Sequence, residues 1–394
     1  MRIAHLTADW LATGGVSSYV RLLAPAQAGD GHDVLVVHAN APLEEHLPPR
    51  LAIEAVPAAF RHEPGGDDAR FIAPVRALLE RFAPDLVHIH ASDNFAVEDD
   101  VRGRYPTIKT MHNLWFCPAG TKYHAATGQA CVHSTGAMCV PRQALLKCTM
   151  SRRPWIWWSN YQLTMRSIAH HRTWRQLIVT SPFVREQAMA SGFDGDRIAV
   201  VPYFTEIPES VEPVSSTRVL YVGRVAREKG ADLVVEALAH CQGDWRGVII
   251  GDGIDMPYVR QRVTALGLDD RFEFPGWMTG EALADQYRRA GIVVVPSRLP
   301  EPFGITGIEA MAHGRPVVAF RTGGIPSWLE DGIGGWLAQP GDATDLAKQL
   351  TRVLSNPADA VRLAALGRSR AARDFSYHSH VARLTPLYDE ARVH

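Results

Sequence analysis

Short apolar runs alternate with segments of helical length along most of the 394-residue chain. Most of these runs are nearly continuous in apolar character, which is typical of strands buried on both faces of a parallel sheet. In the first half the predicted strands are Ile3–Thr7, Val34–His38, Leu86–His90, Thr107–Met111 and Gln176–Thr180. In the second half they are Val219–Val222, Gly247–Ile250, Arg271–Phe274, Ile292–Val295 and Pro316–Ala319.

The segments between these strands have the spacing of amphipathic helices. The segment 231–241 is an example, because its apolar side chains share one helical face. These side chains are Leu233, Val234, Ala237, Leu238 and Cys241. Alternating strands and helices predict the α/β class with doubly wound parallel sheets.

The alternation restarts near residue 217, after a stretch rich in Pro, Ser and Glu that is typical of a linker. A single core seldom grows past about 250–300 residues, so two domains are expected. We predict an amino-terminal domain over 1–205, with an insertion at about 115–150, and a second domain over 217–375. A helix over 377–394 is expected to complete the first domain. Ligands bind at the carboxyl ends of strands in such sheets, so two facing sheets predict a cleft.

Composition excludes some classes of function. The chain is 46% apolar and 21% charged with a net charge of −1, so no nucleic-acid partner is expected. It starts directly on a strand-like run without a secretion-signal pattern, and no apolar stretch is long enough to span a membrane. We therefore expect a cytoplasmic protein, in which the five cysteines are reduced or metal-bound more often than disulfide-bonded.

Two loops that follow predicted strands carry features suited to phosphate. Gly14 and Gly15 lie before a helix, where backbone N–H groups and the helix dipole favour an anion, although a plain tight turn explains the pair equally well. Arg224 and Lys229 bracket the loop after the strand that ends at Val222. Such cations can grip a diphosphate from two sides, or they are simply solvated.

A third loop combines carboxylates with a helix start. Glu301 lies in the loop after the strand Ile292–Val295, and Glu309 lies in the first turns of the helix that follows. A carboxylate accepts hydrogen bonds from two vicinal hydroxyls, so this pair suits a sugar and a ribose. A solvated Glu309 is the simpler explanation, but its neighbours in the helix are apolar.

The segment EPFGITGIE resembles the E-x7-E signature of the retaining GT-B glycosyltransferases of family four, the glycosyl transferases group 1. Members of this family include sucrose synthases and bacterial mannosyl- and N-acetylglucosaminyltransferases. GRVAREKG resembles the diphosphate-binding segment of the family, and further likenesses are GDG at 251–253, FPG at 274–276 and TGGIPSWLEDGIGGWLAQPGD at 322–342. The likeness is continuous from about 217 to 375. In the first domain it is confined to the Gly14-Gly15 loop and the strand end at His112.

The resemblance implies a GT-B fold of two Rossmann-like domains and a role for each matching residue. Arg224 and Lys229 would hold the donor diphosphate, Glu309 the ribose hydroxyls and Glu301 the transferred sugar. His112 would face the anomeric carbon and donate a hydrogen bond to a sugar hydroxyl. The implied catalytic residues are His112, Arg224, Lys229 and Glu301. The implied donor-binding residues are Gly14, Gly15, Gly253, Gly276, Phe303, Gly304, Ile305 and Glu309.

Two positions depart from the family pattern. The family commonly has Glu after the Pro of its GG-x-P segment, whereas Ser327 and Trp328 follow Pro326 here. The usual His-Asp pair of the first domain is His112-Asn113. The first of these departures lies behind the expected donor site.

The expected reaction moves a sugar from a nucleoside diphosphate of UDP or GDP type to a hydroxyl of a glycan, a lipid-linked saccharide or a natural product. A front-face substitution with retention is expected, because no carboxylate is placed as a nucleophile. No cofactor is expected to be required. The alternatives are a GT-B phosphorylase, a sugar-nucleotide epimerase, or a non-catalytic sugar-nucleotide-binding protein.

Two segments after His112 carry further chemistry. Four cysteines fall within 32 residues, at Cys117, Cys131, Cys139 and Cys148, without a C-x-x-C pair. Their spacing leaves open a structural zinc, with His124 or His133 as a substitute ligand, an iron–sulfur centre, disulfides or reduced thiols. The next segment combines Trp155, Trp157, Trp158 and Tyr161 with Arg152, Arg153 and Arg166. This combination suits peripheral membrane contact, acceptor binding or plain packing.

Overall fold

The structure is a computed structural model and describes residues 1–11, 14–40, 47–57, 59–60, 69–114, 116–127, 129–131, 133–149, 151 and 153–393. Thr13 of the Gly14-Gly15 loop and Arg152 of the aromatic segment lie outside these residues. The chain divides into two compact units. The first contains Met1–Pro118, Trp158–Tyr203 and Tyr377–His394, and the second contains Ala119–Trp157 and Phe204–Ser376.

The elements up to residue 203 alternate as the apolar pattern predicts. The strands are β1 (Arg2–Thr7), β2 (Asp33–His38), β3 (Leu51–Ala55), β4 (Leu86–Ile89), β5 (Thr107–Met111), β6 (Tyr123–His124), β7 (Gln129–Ala130), β8 (Leu177–Val179) and β9 (Ile198–Val200). The helices are α1 (Gly15–Gly29), α2 (Ile72–Phe82), α3 (Phe95–Arg102), α4 (Cys139–Leu145), α5 (Pro154–His171) and α6 (Pro182–Ala190).

The remaining elements repeat this alternation. The strands are β10 (Arg218–Val222), β11 (Arg246–Ile250), β12 (Phe272–Gly276), β13 (Ile292–Val295), β14 (Val317–Phe320), β15 (Glu330–Asp331) and β16 (Gly334–Ala338). The helices are α7 (Ala231–Ala239), α8 (Met256–Ala265), α9 (Gly280–Arg289), α10 (Ile305–Ala312), α11 (Ala343–Leu354), α12 (Pro357–Asp374) and α13 (Tyr377–Val393).

Each unit is built on a parallel seven-stranded sheet. The first sheet has the order β3-β2-β1-β4-β5-β8-β9, and the second has the order β12-β11-β10-β13-β14-β16-β15. All ten predicted strands are present, and most of their residues are buried because both faces of each sheet are covered. The predicted apolar face of α7 is also buried. The predicted fold class, two doubly wound Rossmann-like sheets, is therefore confirmed.

The cysteine-containing segment differs from the predicted domain assignment. We expected it within the first domain, but residues 119–157 group with the second unit. Its strands β6 and β7 form a separate antiparallel hairpin, and the Tyr123 phenol contributes to the charge environment of Arg298 in that unit. The helix α13 groups with the first unit. No helix in the described part of the chain is both long enough and apolar enough to cross a membrane.

The first unit contains a buried ion pair. Lys109 Nζ on β5 lies 2.6 Å from Glu98 Oε1 on α3, and both side chains are almost completely buried. His170 Nε2 lies 3.1 Å from the other carboxylate oxygen of Glu98. Burial alone would raise the pKa of Glu98, but the neighbouring Lys109 lowers it to about 2. The Glu98 carboxylate is thus ionised at neutral pH, and the contacts with Lys109 and His170 stabilise its buried charge.

We predict that Lys109→Met destabilises the first unit by about 3–5 kcal/mol, because it leaves a buried carboxylate without its cation. Calorimetric unfolding measures the loss. Lys348→Met, at an exposed position of α11, is the matched control and should change stability by less than about 0.5 kcal/mol. Equal melting of the two variants would show that the buried pair contributes no more than a surface charge.

Candidate functional site

The candidate residues of the second unit lie in loops at one edge of its sheet. β10 and β13 are neighbouring parallel strands, with Tyr221 opposite Val294. Arg224 follows the end of β10, and Glu301 lies in the loop after β13. Since carboxyl ends of parallel strands meet at the same edge, the two loops are neighbours.

Gly230 allows these two loops to touch. Its φ is 76°, a left-handed conformation, and a Cβ there would lie 2.1 Å from the carbonyl oxygen of Pro296. No other residue can occupy this position without moving one of the loops. The preceding residues Arg227–Lys229 form a 3₁₀ turn that leads into α7.

Lys229 and Glu301, predicted for different parts of the donor, contact each other. Lys229 Nζ lies 2.6 Å from Glu301 Oε1, and the Ser297 hydroxyl donates a hydrogen bond to the same oxygen. Burial would raise the pKa of Glu301, but Lys229, Ser297 and Arg224 together lower it. Glu301 is therefore ionised at neutral pH, and its charge holds the Lys229 ammonium in place.

Arg224 is on the same loop but points outward. Its side chain is exposed and lies 3.2 Å from Glu228 Oε1. An exposed pair of this kind contributes little stability and can exchange its partner easily. Arg224 thus provides an exposed cation on the same loop as Lys229, which Glu301 holds.

A second ion pair, which the sequence analysis missed, joins the loops. The Arg298 guanidinium makes two hydrogen bonds of 2.7 Å to the Asp232 carboxylate at the start of α7. It also donates to the carbonyl of Arg227, and the Arg298 backbone N–H donates to the carbonyl of Glu228. A planar, bidentate pair fixes orientation as well as distance. Asp232 and Arg298 therefore position the turn that contains Lys229.

The start of α10 is shaped by Trp328. The Trp328 indole N–H donates to the carbonyl of Phe303 at 2.6 Å, and the ring is completely buried. A Cβ at Gly307 would lie 1.9 Å from this ring, and Gly304, which precedes Ile305 and the helix, has a φ of 92°. The Trp328 ring thus fills space that Gly304 and Gly307 leave open. It supports the loop and the helix start that were predicted to bind the donor.

Glu309 lies on α10 and is partly buried. Its Oε2 accepts a hydrogen bond of 2.8 Å from the Tyr287 hydroxyl on α9. Burial raises the pKa of Glu309, although this hydrogen bond opposes the shift. Tyr287, which the sequence analysis did not identify, orients the carboxylate by holding one of its two oxygens.

The two predicted glycines near the base complete this edge of the sheet. A Cβ at Gly253, after β11, would lie 2.2 Å from the carbonyl oxygen of Val225, so this loop packs directly on the Arg224 loop. Gly276 ends β12 with a φ of 85°, and its carbonyl accepts a hydrogen bond from Gly251. Direct contacts therefore join Lys229 to Glu301 and the Gly253 loop to the Arg224 loop, while Gly304 and Glu309 lie at and within α10, which begins after the Glu301 loop.

The predicted site residues of the first unit lie after β1 and after β5. Gly14, with a φ of 99°, and Gly15 lie at the start of α1, with open space around both. His112 follows β5 and is 4% exposed. Its Nε2 lies 3.1 Å from His90 Nδ1, and its Nδ1 lies 2.6 Å from the Tyr203 hydroxyl. Both ring nitrogens of His112 have hydrogen-bond partners within this unit. The predicted hydrogen bond from His112 to a sugar therefore requires one of these two bonds to break.

The four clustered cysteines are not grouped as metal ligands in the described part of the chain. Cys117, Cys131, Cys139 and Cys148 are half-buried. The one group of three metal-ligating side chains found among the described residues is His5, His88 and His90 in the first unit. The cysteines thus do not fit a bound metal as they are placed, and the predicted zinc rests on their sequence spacing alone. Cys241, predicted on the apolar face of the helix over 231–241, follows the end of α7 and is buried.

Two family models match consecutive parts of the chain. Residues 13–206 match the model described as Glycosyltransferase Family 4, and residues 204–370 match the model described as Glycosyl transferases group 1. The boundary between the two matches falls where the first unit gives way to the second.

Relatives and solved structures share this similarity. A D-inositol 3-phosphate glycosyltransferase from Xylanimonas cellulosilytica is 33% identical over 51% of this chain and 53% of its own length. The protein of the same description from Pseudarthrobacter chlorophenolicus is 27% identical over 95% of this chain and 93% of its own length. The chain spans about half the length of the curated relatives that it matches at more than 30% identity. HepE from Anabaena, solved in complex with UDP and glucose, superposes with a TM-score of 0.74 at 19% identity, covering 99% of this chain and 100% of its own.

We predict that Gly307→Ala lowers stability by about 1–3 kcal/mol, because the new methyl group overlaps the buried Trp328 ring. Thermal unfolding measures the change. Gly136→Ala is the matched control, since a Cβ there meets open space. If both variants melt with the wild type, the Trp328 ring does not limit the side chain at 307.

Proposed function

The chain belongs to the glycosyl transferases group 1, and we propose that it moves a sugar from a nucleoside diphosphate to a hydroxyl acceptor with retention of anomeric configuration. The observation that carries this proposal is the Lys229–Glu301 contact of 2.6 Å, with Arg224 on the same loop, at the carboxyl edge of the second sheet. This arrangement places cations for a diphosphate next to a carboxylate that suits sugar hydroxyls.

Each charged group has a distinct part in the proposal. Arg224 and Lys229 bind the diphosphate and stabilise the negative charge that develops on it as the glycosidic bond breaks. Glu301 stays ionised, holds Lys229 and accepts hydrogen bonds from the transferred sugar. Glu309, oriented by Tyr287, accepts hydrogen bonds from the ribose.

Neither carboxylate suits the role of nucleophile. Glu301 Oε1 is engaged by Lys229 and Ser297, and Glu309 Oε2 is engaged by Tyr287. We therefore infer a front-face substitution in place of the two-carboxylate scheme of retaining glycosidases. The bond from the anomeric carbon to the phosphate oxygen breaks, the acceptor oxygen bonds to the same face, and the leaving phosphate takes the acceptor proton.

We propose UDP as the nucleoside diphosphate of the donor, with GDP as the alternative that the test includes. The support is the likeness in fold to HepE, whose structure contains UDP and glucose. The acceptor is a hydroxyl of a glycan, a lipid-linked saccharide or a natural product. The similarity to glycosyltransferases does not favour a phosphorylase, an epimerase or a binding protein without turnover.

We predict that Lys229→Ala lowers kcat by roughly 10²–10³, the loss expected for one preorganised group that stabilises transition-state charge. The measurement is release of nucleoside diphosphate from a panel of UDP- and GDP-sugars, with and without alcohol acceptors. Lys348→Ala, which changes an exposed lysine, is the control and should keep full activity.

Two results of this assay contradict the proposal. Full activity of Lys229→Ala removes the Lys229 ammonium from the reaction. Saturable binding of a sugar nucleotide by the wild type, without release of nucleoside diphosphate under any condition, identifies a binding protein. Thermal unfolding of each variant confirms that a loss of activity is not a loss of fold.

We further infer that α5 contacts the surface of an anionic membrane, with the remainder of the protein on the cytoplasmic side. Trp155, Trp158 and Met165 share one face of this helix and are 65%, 51% and 37% exposed. The Arg153 guanidinium carbon lies 5.7 Å from the centroid of the Trp155 ring. Exposed Trp side chains next to cations suit the interface between lipid headgroups and acyl chains.

We predict that the wild type floats with vesicles containing anionic phospholipid and that Trp155→Ser/Trp158→Ser binds at least about tenfold more weakly, since two exposed indoles lose their apolar burial. Val361→Ser, at an exposed apolar position of α12, is the control. Equal flotation of both variants, or none by the wild type, contradicts membrane contact through α5.

A further inference from the structure

Four histidines meet in the interior of the first unit. His5 lies on β1, His88 lies on β4, His90 follows β4, and His112 follows β5; all four are buried. The ring centroids of His88 and His90 are 4.0 Å apart. Buried polar groups are costly unless they are hydrogen-bonded, and each of the eight ring nitrogens has a partner.

Three of these histidines form a linear relay between Gln27 on α1 and Tyr203. Gln27 Oε1 lies 2.7 Å from His5 Nε2, and His5 Nδ1 lies 2.9 Å from His90 Nε2. His90 Nδ1 lies 3.1 Å from His112 Nε2, and His112 Nδ1 lies 2.6 Å from the Tyr203 hydroxyl. His88 is outside this relay, because its nitrogens bond to Tyr388 and Thr110.

The Gln27 amide gives the relay its direction. A carbonyl oxygen only accepts, so His5 carries its proton on Nε2, and a neutral imidazole has one N–H. His5 Nδ1 therefore accepts from His90 Nε2, and His90 Nδ1 accepts in turn from His112 Nε2. Burial keeps the rings neutral at pH 7, since it lowers the pKa of His5 to about 4 and that of His112 to about 3.

We propose that Gln27, His5 and His90 are positioning residues that keep the His112 proton on Nε2, so that His112 accepts a hydrogen bond at Nδ1. The inference rests on the proposed function, in which His112 faces the donor sugar. A sugar hydroxyl that replaces the Tyr203 hydroxyl donates to His112, which reverses the direction expected from the sequence. The relay ends on an amide oxygen, which does not take up a proton, so it orients His112 and does not carry protons away.

A bound metal is the competing explanation for these side chains. One potential ligand atom from each of His5, His88 and His90 lies within 4.8 Å of the others. Metal coordination needs an unprotonated nitrogen from each ring. Because every ring nitrogen already has a hydrogen-bond partner, coordination would break bonds that the relay keeps without an ion. Measuring the metal content of the purified protein therefore helps to distinguish the relay from a metal site.

The test is imidazole nitrogen NMR on the full-length protein labelled with ¹⁵N-histidine, which reports the tautomer of each ring. We expect the wild type at pH 7 to show neutral His112 protonated on Nε2. In Gln27→Glu the new carboxylate favours a protonated His5. Its Nδ1–H must then donate to His90, so each bond of the relay reverses and the His112 proton moves to Nδ1. We expect kcat/KM to fall on the order of 10- to 100-fold, as for other partners that orient a functional imidazole.

Thr110→Val is the matched control, because it removes a buried hydrogen bond from His88 without touching the relay. It should leave the His112 tautomer and the activity unchanged. If Gln27→Glu does not fold, Gln27→Met replaces it; this variant loses the acceptor for His5 and should show mixed His112 tautomers.

Three outcomes overturn the relay: His112 of the wild type protonated on Nδ1 or on both nitrogens, a His112 tautomer that is insensitive to residue 27, or a stoichiometric metal ion that a chelator removes with a change in the histidine spectra. The spectra need no substrate. They therefore decide on the relay independently of the glycosyltransferase assay, which decides on the proposed function.

Discussion

The close approach of the loops after β10 and β13 is the constraint on which the candidate site depends. Neighbouring parallel strands are about 4.8 Å apart, so the loops that follow them can approach each other closely, and here they leave no room for a side chain at the point of contact. Gly230 meets this requirement against the carbonyl of Pro296. Lys229, the residue before it, is then within reach of Glu301, and Arg298 is within reach of Asp232. A single missing Cβ thus brings a cation from one loop to a carboxylate from the other.

The same contact defines the resting charge of the site. The positive charge of Lys229 is already paired with the Glu301 carboxylate, so a bound diphosphate has to share the Lys229 ammonium with that carboxylate. The exposed Arg224 gives up only a weak partner when it turns toward an anion. The Lys229–Glu301 pair therefore holds one cation in a defined position. The exposed Arg224 provides most of the electrostatic attraction for the diphosphate. This division explains why one cation is held rigidly and the other is left in solvent.

The sequence predicted those parts of the structure that depend on local pattern. Most of the ten predicted strands were evident because their residues are buried, although the edge strand β12 has only one buried residue. Among the strands that were missed, β3 also has only one buried residue, and β9 is only three residues long. β16 begins with two glycines, which conceal a buried strand. The sequence analysis identified Arg224, Lys229, Glu301 and Glu309, because strand ends and residue types can be recognised from the sequence alone.

The side chains that orient these residues could not be identified from the sequence. Asp232 and Arg298 are 66 positions apart, and neither lies in a pattern that indicates pairing. Tyr287 was one aromatic residue in a helix with a polar surface, and nothing local connected it to Glu309. The packing of the Trp328 ring against Gly307 likewise requires the fold, because it depends on where the chain returns after β14. Sequence patterns thus predicted which groups act, and only tertiary contacts showed what orients them.

The place of α13 in the first unit affects how the chain is made. The Tyr388 hydroxyl lies 2.7 Å from His88 Nδ1, and His380 Nε2 lies 2.9 Å from the Tyr19 hydroxyl. The interior of the first unit thus lacks these two polar partners until α13 has left the ribosome. The sheet of the second unit, by contrast, comes from one uninterrupted stretch of chain. During synthesis, when domains fold as units, the second unit can finish folding while the first still waits for its last helix.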